Sequence, residues 1–177
     1  MQNSKVMDKE IVNRVANSKL ITFDLEDFYP PGARKILDIS DWLHEGIVLR
    51  EKDFRTHVKT HHWEQYKDSY LAIYCSSDAI IPAWAYMLIS VEAGKYAKKV
   101  VKGSLDALET VLFSELIEQM DLDHLKGRSV IVKGCTHKPI PENAYLLLIQ
   151  KLRPMAKSIM YGEACSSVPL YKASVTS

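Results

Sequence analysis

The residues of this chain best suited to chemistry are three cysteines, Cys75, Cys135 and Cys165. Each follows an apolar run that reads as a β-strand, and each precedes a hydroxyl residue: Cys75-Ser76-Ser77, Cys135-Thr136-His137 and Cys165-Ser166-Ser167. Proline follows soon after in every case, at Pro82, Pro139 and Pro169. If the strands are parallel, their carboxyl ends lie along one sheet edge, where ligand crevices form, so thiols distant in sequence can converge there. A helix N-terminus beyond Cys75 or Cys135 would add backbone N–H donors that favour thiolate. Three roles are open to these residues. They can be small buried hydrophobes of an α/β core. They can be thiolate ligands of zinc or an iron–sulfur species, with His137 or Asp24 completing the shell. Or one of them, Cys75 or Cys135, can be a nucleophile. No Cys-x-x-Cys pair supports the metal role, which rests on the repeated strand-end placement.

Acids form the second candidate group. A strand over 20–28 sends Asp24 and Glu26 to one face and Phe23 and Leu25 to the other. On a parallel strand these carboxylates share the edge of the cysteines. There they could bind Mg²⁺ or serve as acid–base partners to a Cys75 nucleophile in a transferase or hydrolase. Glu163 is a further strand-end acid. His57 and His61 would share one face of a helix, but no acid sits between them to act as a base, and a solvated face is the simpler reading. Lys98, Lys99, Lys133 and Lys157 read as solvated strand flanks rather than a phosphate site. A Gly-rich phosphate loop, a dinucleotide fingerprint and a Gly-x-Ser-x-Gly elbow are all absent from the sequence.

The elements that must position these groups follow from periodicity. Strands are predicted at 20–28, 46–49, 70–74, 100–101, 129–133 and 158–161. Helices are predicted around Ile11, Val12 and Val15, after Ser40, and over 52–66, 82–91, 105–120 and 141–152. Pro82 fits a first helical turn, and the tail after Tyr171 reads as frayed. The alternation predicts a single α/β domain spanning residues 1–177, with a mostly parallel central sheet flanked by helices. Within it, 82–103 aligns without gaps on 141–162. The two segments share Pro82/Pro141, Ala85/Ala144, Tyr86/Tyr145, Leu88/Leu147, Ala97/Ala156, Lys98/Lys157 and Gly103/Gly162. A partly duplicated strand–helix–strand unit is therefore expected, with Tyr86 and Tyr145 in equivalent positions.

Composition narrows the class of function. The chain has 177 residues, 47% of them hydrophobic and 25% charged, which fits one compact domain and excludes a disordered or collagen-like chain. Lys plus Arg number 23 against 22 Asp plus Glu, so nothing in the charge favours nucleic acid or an anionic membrane as partner. There is no spanning apolar run and no signal-like N-terminus, which makes the cytoplasm the expected compartment. An odd, low cysteine count predicts reduced thiols there.

Four segments together carry a resemblance. They are Asp24-Leu25-Glu26-Asp27-Phe28-Tyr29-Pro30, Cys75 through Tyr86, Lys133-Gly134-Cys135, and Ser158 through Pro169. The chain resembles the bacterial domain-of-unknown-function family 2480 from about Ile11 to Lys172. That resemblance implies no established activity. It does associate the chain with the neighbourhood of iron–sulfur cluster assembly genes, and so with assembly proteins as partners. The function expected is an accessory protein that binds zinc or an iron–sulfur species, or handles sulfur, through Cys75, Cys135 and Cys165. The alternatives are a thiol-nucleophile enzyme using Cys75 with Asp24 or Glu26, and an interaction module with no chemistry.

Overall fold

A computed structural model describes residues 20–134, 137–163 and 165–174. The helix expected around Ile11 to Val15 lies outside the described residues, as does Cys135. The described strands are β1 (Leu20–Phe23), β2 (Arg34–Asp38), β3 (Tyr70–Tyr74), β4 (Lys99–Lys102), β5 (Ser129–Val132), β6 (Ser158–Glu163) and β7 (Ser166–Lys172). The helices are α1 (Glu51–Thr60), α2 (Ala83–Ala93), α3 (Leu105–Gln119) and α4 (Glu142–Leu152). All strand pairs are parallel except β6 with β7. The α/β class with mostly parallel strands is as expected, but the strands divide between two sheets. One has the order β1-β5-β6-β7 and the other β2-β3-β4.

The chain forms two compact units. One comprises Glu26–Met120 and His137–Leu148 and contains the three-stranded sheet. Strand alternation gives this sheet two apolar faces. Leu37, Leu71 and Ile73 pack in one cluster with Phe54 and Val58 of α1 and Ala85 and Ile89 of α2. Ala72 packs in a second cluster with Leu108 and Leu112 of α3. Proline directly before α2 fits its first turn, since the missing N–H would have had no helical partner. Ser104 caps α3, its hydroxyl accepting the Ala107 N–H. The other unit comprises the described residues of Met1–Leu25, Asp121–Thr136 and Ile149–Ser177 and contains the four-stranded sheet. Val130, Ile131, Val132 and Ile159 are buried there.

The internal repeat extends further than the shared residues suggest. Tyr70 pairs with Lys99 and, at the same offset, Ser129 pairs with Ser158, and the match continues along both parallel ladders. Lys98 N–H donates to Ser69 O as Lys157 N–H donates to Arg128 O, each at 2.8 Å. Positive φ recurs at Asp68 (56°) and Gly127 (67°), the turns that lead into β3 and β5. Both helices start just after the shared proline, so Tyr86 and Tyr145 each hold the fourth helical position. Ala85, Ile89 and Ala93 are buried, and so are their counterparts Ala144, Leu148 and Leu152. The repeat is thus one of backbone register as well as of residues.

Several local readings change. The first strand stops at Phe23, and Leu25–Phe28 winds into a 3₁₀ turn, so Asp24 and Glu26 do not alternate on one strand face. Residues 46–49 make only an isolated bridge between His44 and Val48. The helix over 52–66 ends at Thr60, because a separate 3₁₀ turn, Trp63–Tyr66, follows. The segment near the C-terminus forms β7, antiparallel to β6, with a register shift between Ile159 and Met160, where Pro169 pairs with Met160. Proline at an edge strand with a local irregularity is the arrangement a ladder tolerates.

Candidate functional site

The most developed polar arrangement around a predicted site residue is at the carboxyl edge of β2, β3 and β4. Asp38 ends β2 and pairs with Tyr74 at the end of β3, so the segment that begins with Cys75 emerges beside it. One carboxylate oxygen of Asp38 accepts the backbone N–H groups of both Ser40 and Ser76 at 3.0 Å. Ser76 Oγ donates to Ser40 Oγ at 3.1 Å, closing a link between the two strand ends. Burial pushes the Asp38 pKa up, but the hydrogen bonds from Ser76 and Ser40 outweigh it, and the net shift is downward. Asp38 is thus a fixed anion that holds the start of the Cys75 loop.

The Cys75 thiol is half-buried, resting against the apolar cluster on one side. Its polar contact is with Ser77, at 3.2 Å between Sγ and Oγ. Ser77 Oγ also accepts the Ala79 N–H at 3.4 Å, which orients the hydroxyl. Tyr86, from the second turn of α2, stands near enough to the thiol and to Asp38 for both to act on its phenol. Burial, then these two groups, raise the Tyr86 pKa, so it remains a neutral donor at physiological pH. Lys102, the last residue of β4, places its ammonium 4.6 Å from the centre of the Tyr86 ring. A thiol and a hydroxyl thus meet just beyond β3, and a cation and a phenol ring meet at the end of the adjacent β4.

Cys75 and Cys165 follow strands of different sheets. Cys75 follows β3 of the three-stranded sheet, and Cys165 is exposed in the turn between β6 and β7 of the other. The duplicated unit departs at the matching position. Gly134 stands where Cys75 does, and a Cβ there would come within 2.8 Å of the Tyr161 ring. That contact gives a steric reason for glycine at this position. His137 is exposed, and its backbone N–H donates to Glu26. Among the described residues, no group of three or more His, Cys, Asp or Glu is placed to hold a metal ion. The zinc or iron–sulfur donor set read from the sequence is thus not assembled by the described residues.

The acidic motif is engaged in positioning. Asp24 accepts from Lys133 Nζ at 2.7 Å. Glu26 accepts the backbone N–H groups of His137 and Lys138, while Lys138 Nζ donates to the Glu26 carbonyl at 2.8 Å. Two residues of one short motif therefore hold the sequence on either side of Cys135. Tyr29, from the same motif, donates to buried Glu109 at 2.7 Å. Arg34 meets that carboxylate with two nitrogens, at 2.6 and 3.2 Å, and donates to the Pro30 and Gly32 carbonyls at 2.7 Å. Its guanidinium also lies 4.2 Å from the centre of the Tyr29 ring. Burial and the Glu109 contact push Tyr29 up to about 12.

His57 and His61 are likewise structural. His57 stacks on Trp42, with planes 6° apart, and His61 packs against Trp42, Trp63 and Tyr66. His61 caps the end of α1 rather than lying on its face. Sequence reading missed Asp38, Ser40 and Lys102 and named Tyr86 as the counterpart of Tyr145 in the repeat rather than as a site residue. The available signal was Asp38-Ile39-Ser40 after a strand, a pattern in which a side-chain carboxylate takes the N–H two residues on.

No described helix is long and apolar enough to cross a membrane. Neither a curated protein nor a solved structure matches the chain. A family match covers residues 9–173, which include every element described above, and by it the chain belongs to the family described as Protein of unknown function (DUF2480).

Proposed function

We propose that this is an accessory sulfur-handling protein in which Cys75 alone is the working thiol. The reading is carried by one observation: Cys75 is half-exposed at a strand end, its sulfur 3.2 Å from Ser77 Oγ, in a loop tied down by Asp38. A cysteine serving only as core filler needs none of these polar neighbours. The chemistry is sulfur transfer. The Cys75 thiolate attacks the outer sulfur of a donor persulfide. The donor S–S bond breaks, a new S–S bond forms on Cys75, and the donor thiolate leaves with the electron pair. The proton lost by Cys75 passes to solvent, and no external oxidant or reductant enters. Ser77 Oγ, 3.2 Å from the sulfur, supplies a hydroxyl donor to it. A reducing compartment such as the cytoplasm suits this chemistry, and iron–sulfur assembly proteins are the partner class that would supply or receive the sulfur.

The test is uptake of sulfur from a low-molecular-weight persulfide, read as intact mass. Wild type and Cys165→Ser are expected to gain sulfur, while Cys75→Ser loses most of the gain and keeps its thermal transition. Undiminished uptake in Cys75→Ser would overturn the assignment.

A further inference from the structure

The amino-terminal edge of the four-stranded sheet carries cations that form no ion pair among the described residues. Register sets Ser129, Ser158 and Lys172 abreast on β5, β6 and β7. Just outside this row, Lys157 N–H donates to Arg128 O at 2.8 Å, and Ala173 N–H donates to Lys157 O at 2.9 Å. Arg128 and Lys157 are exposed. With Gly127 and Ser129 they line a concavity of about 300 Å³. Among the described residues, Arg128, Lys157 and Lys172 form no ion pair.

The duplicated unit shows that this is not a property of the repeat itself. Lys98 is the counterpart of Lys157, and it donates to the Pro31 carbonyl at 3.4 Å and lies 5.6 Å from the centre of the Tyr70 ring. Its neighbours are engaged too: Lys99 pairs with Glu115, Lys35 with the Gln65 carbonyl and Arg34 with Glu109. The turn residue there is an acid, Asp68, where the basic edge has Gly127, and Ser69 stands where it has Arg128. A Cβ at Gly127 would meet nothing within 4 Å, so the turn leaves the concavity open. Relative to its copy, this edge has a glycine for an acid, an arginine for a serine and, among the described residues, a lysine in no ion pair.

We propose that this concavity binds a small phosphate-bearing molecule. Arg128 offers the planar fork that matches phosphate oxygens two at a time, Lys157 a compact positive charge, and Ser129 a hydroxyl donor. The two cations come from separate chain segments held at fixed spacing by the sheet ladder, so the site is organised before the ligand arrives. The volume holds a phosphate group and part of what carries it. Lys157, read from the sequence as a solvated flank, becomes a ligand contact.

The test uses the full chain and inorganic pyrophosphate as the probe, in about 0.1 M chloride so that loose surface attraction is screened. Amide resonances of Ser129 and Lys157 are expected to shift with saturation. Arg128→Gln or Lys157→Gln is expected to weaken binding by about tenfold or more, as for a lost hydrogen bond to a charged group. Lys67→Gln, which removes an equal charge elsewhere, leaves it within about twofold, as additivity for distant sites requires. Cys75→Ser leaves it unchanged, which separates this site from the sulfur chemistry. Shifts that never saturate, equal weakening by Lys67→Gln, or binding of heparin without saturable binding of pyrophosphate would overturn the proposal.

Discussion

At Asp38 a single carboxylate oxygen holds the Ser40 and Ser76 N–H groups, and Ser76 is the next residue after Cys75. Asp38→Ala leaves both donors without this acceptor. The expected loss is about 1–3 kcal/mol, the cost of removing hydrogen bonds to a charged group, and a urea midpoint measures it. The sign with pH follows from the lowered pKa. The Asp38 contribution is complete above the unfolded value of 3.8 and is lost as pH falls through the lower folded value. Wild type and Asp38→Ala should therefore converge in stability in acid. Tyr29 works in the opposite direction. Its folded pKa of about 12 lies above the ordinary 10.0, so its contribution is complete below pH 10.0 and disappears as pH rises towards 12. Tyr29→Phe is expected to flatten the stability profile across that alkaline window, and an unchanged slope would show that the Tyr29–Glu109 contact does not govern it. None of these partners was visible in the sequence. Asp38 and Ser76 are far apart along the chain, and only the pairing of β2 with β3 brings them together.

Among the elements, β3, α2, β4, α3, β5 and α4 were legible because each has an unbroken apolar run or stripe and a clear stop. Pro82 and Pro141 precede two of the helices, Ser104 caps a third, and Gly103 closes β4. What was not legible had competing signals. Residues 23–26 alternate apolar and acidic side chains as a strand would, yet the 3₁₀ turn Leu25–Phe28 forms instead. Pro169 argues against a strand in a sequence that becomes β7, and only an edge position with a register shift accommodates it. The duplicated glycines make the element-scale claim testable. Gly103 and Gly162 share a place in the repeat and have φ of 136° and 118°, where L side chains are strained. A Cβ at Gly162 would lie 2.6 Å from the Ser166 carbonyl oxygen, and one at Gly103 2.8 Å from Ala107 Cβ. Each alanine variant is expected to lose about 1–3 kcal/mol, with Gly162→Ala the more costly because rigid backbone is the obstacle. Thermal melts that leave both unchanged would contradict the shared backbone constraint.

At the scale of the molecule, a repeated strand–helix–strand unit has kept its register and changed its edges. One copy presents Cys75 with Ser77, Tyr86 and Lys102 at its carboxyl edge. The other has Gly134 and Tyr161 at the corresponding places and carries unpaired cations, among the described residues, at its amino edge. The sequence revealed the copies but not their divergence. Residue identity at a shared position does not show whether a lysine is engaged by a neighbour, as Lys98 is, or has no ion pair among the described residues, as Lys157 has none. Nor did three similar Cys-hydroxyl segments reveal that the strand before Cys75 belongs to one sheet and the strands before Cys135 and Cys165 to another. The central claim is that a single thiol, Cys75, does the chemistry. Its most direct test is peptide mapping of the wild-type chain after brief exposure to a persulfide donor, with free thiols blocked at quench. The added sulfur is expected on the peptide containing Cys75, with Cys135 and Cys165 recovered as blocked thiols. Sulfur spread evenly over all three cysteines, or found on Cys135 or Cys165 while Cys75 remains an ordinary thiol, would contradict it.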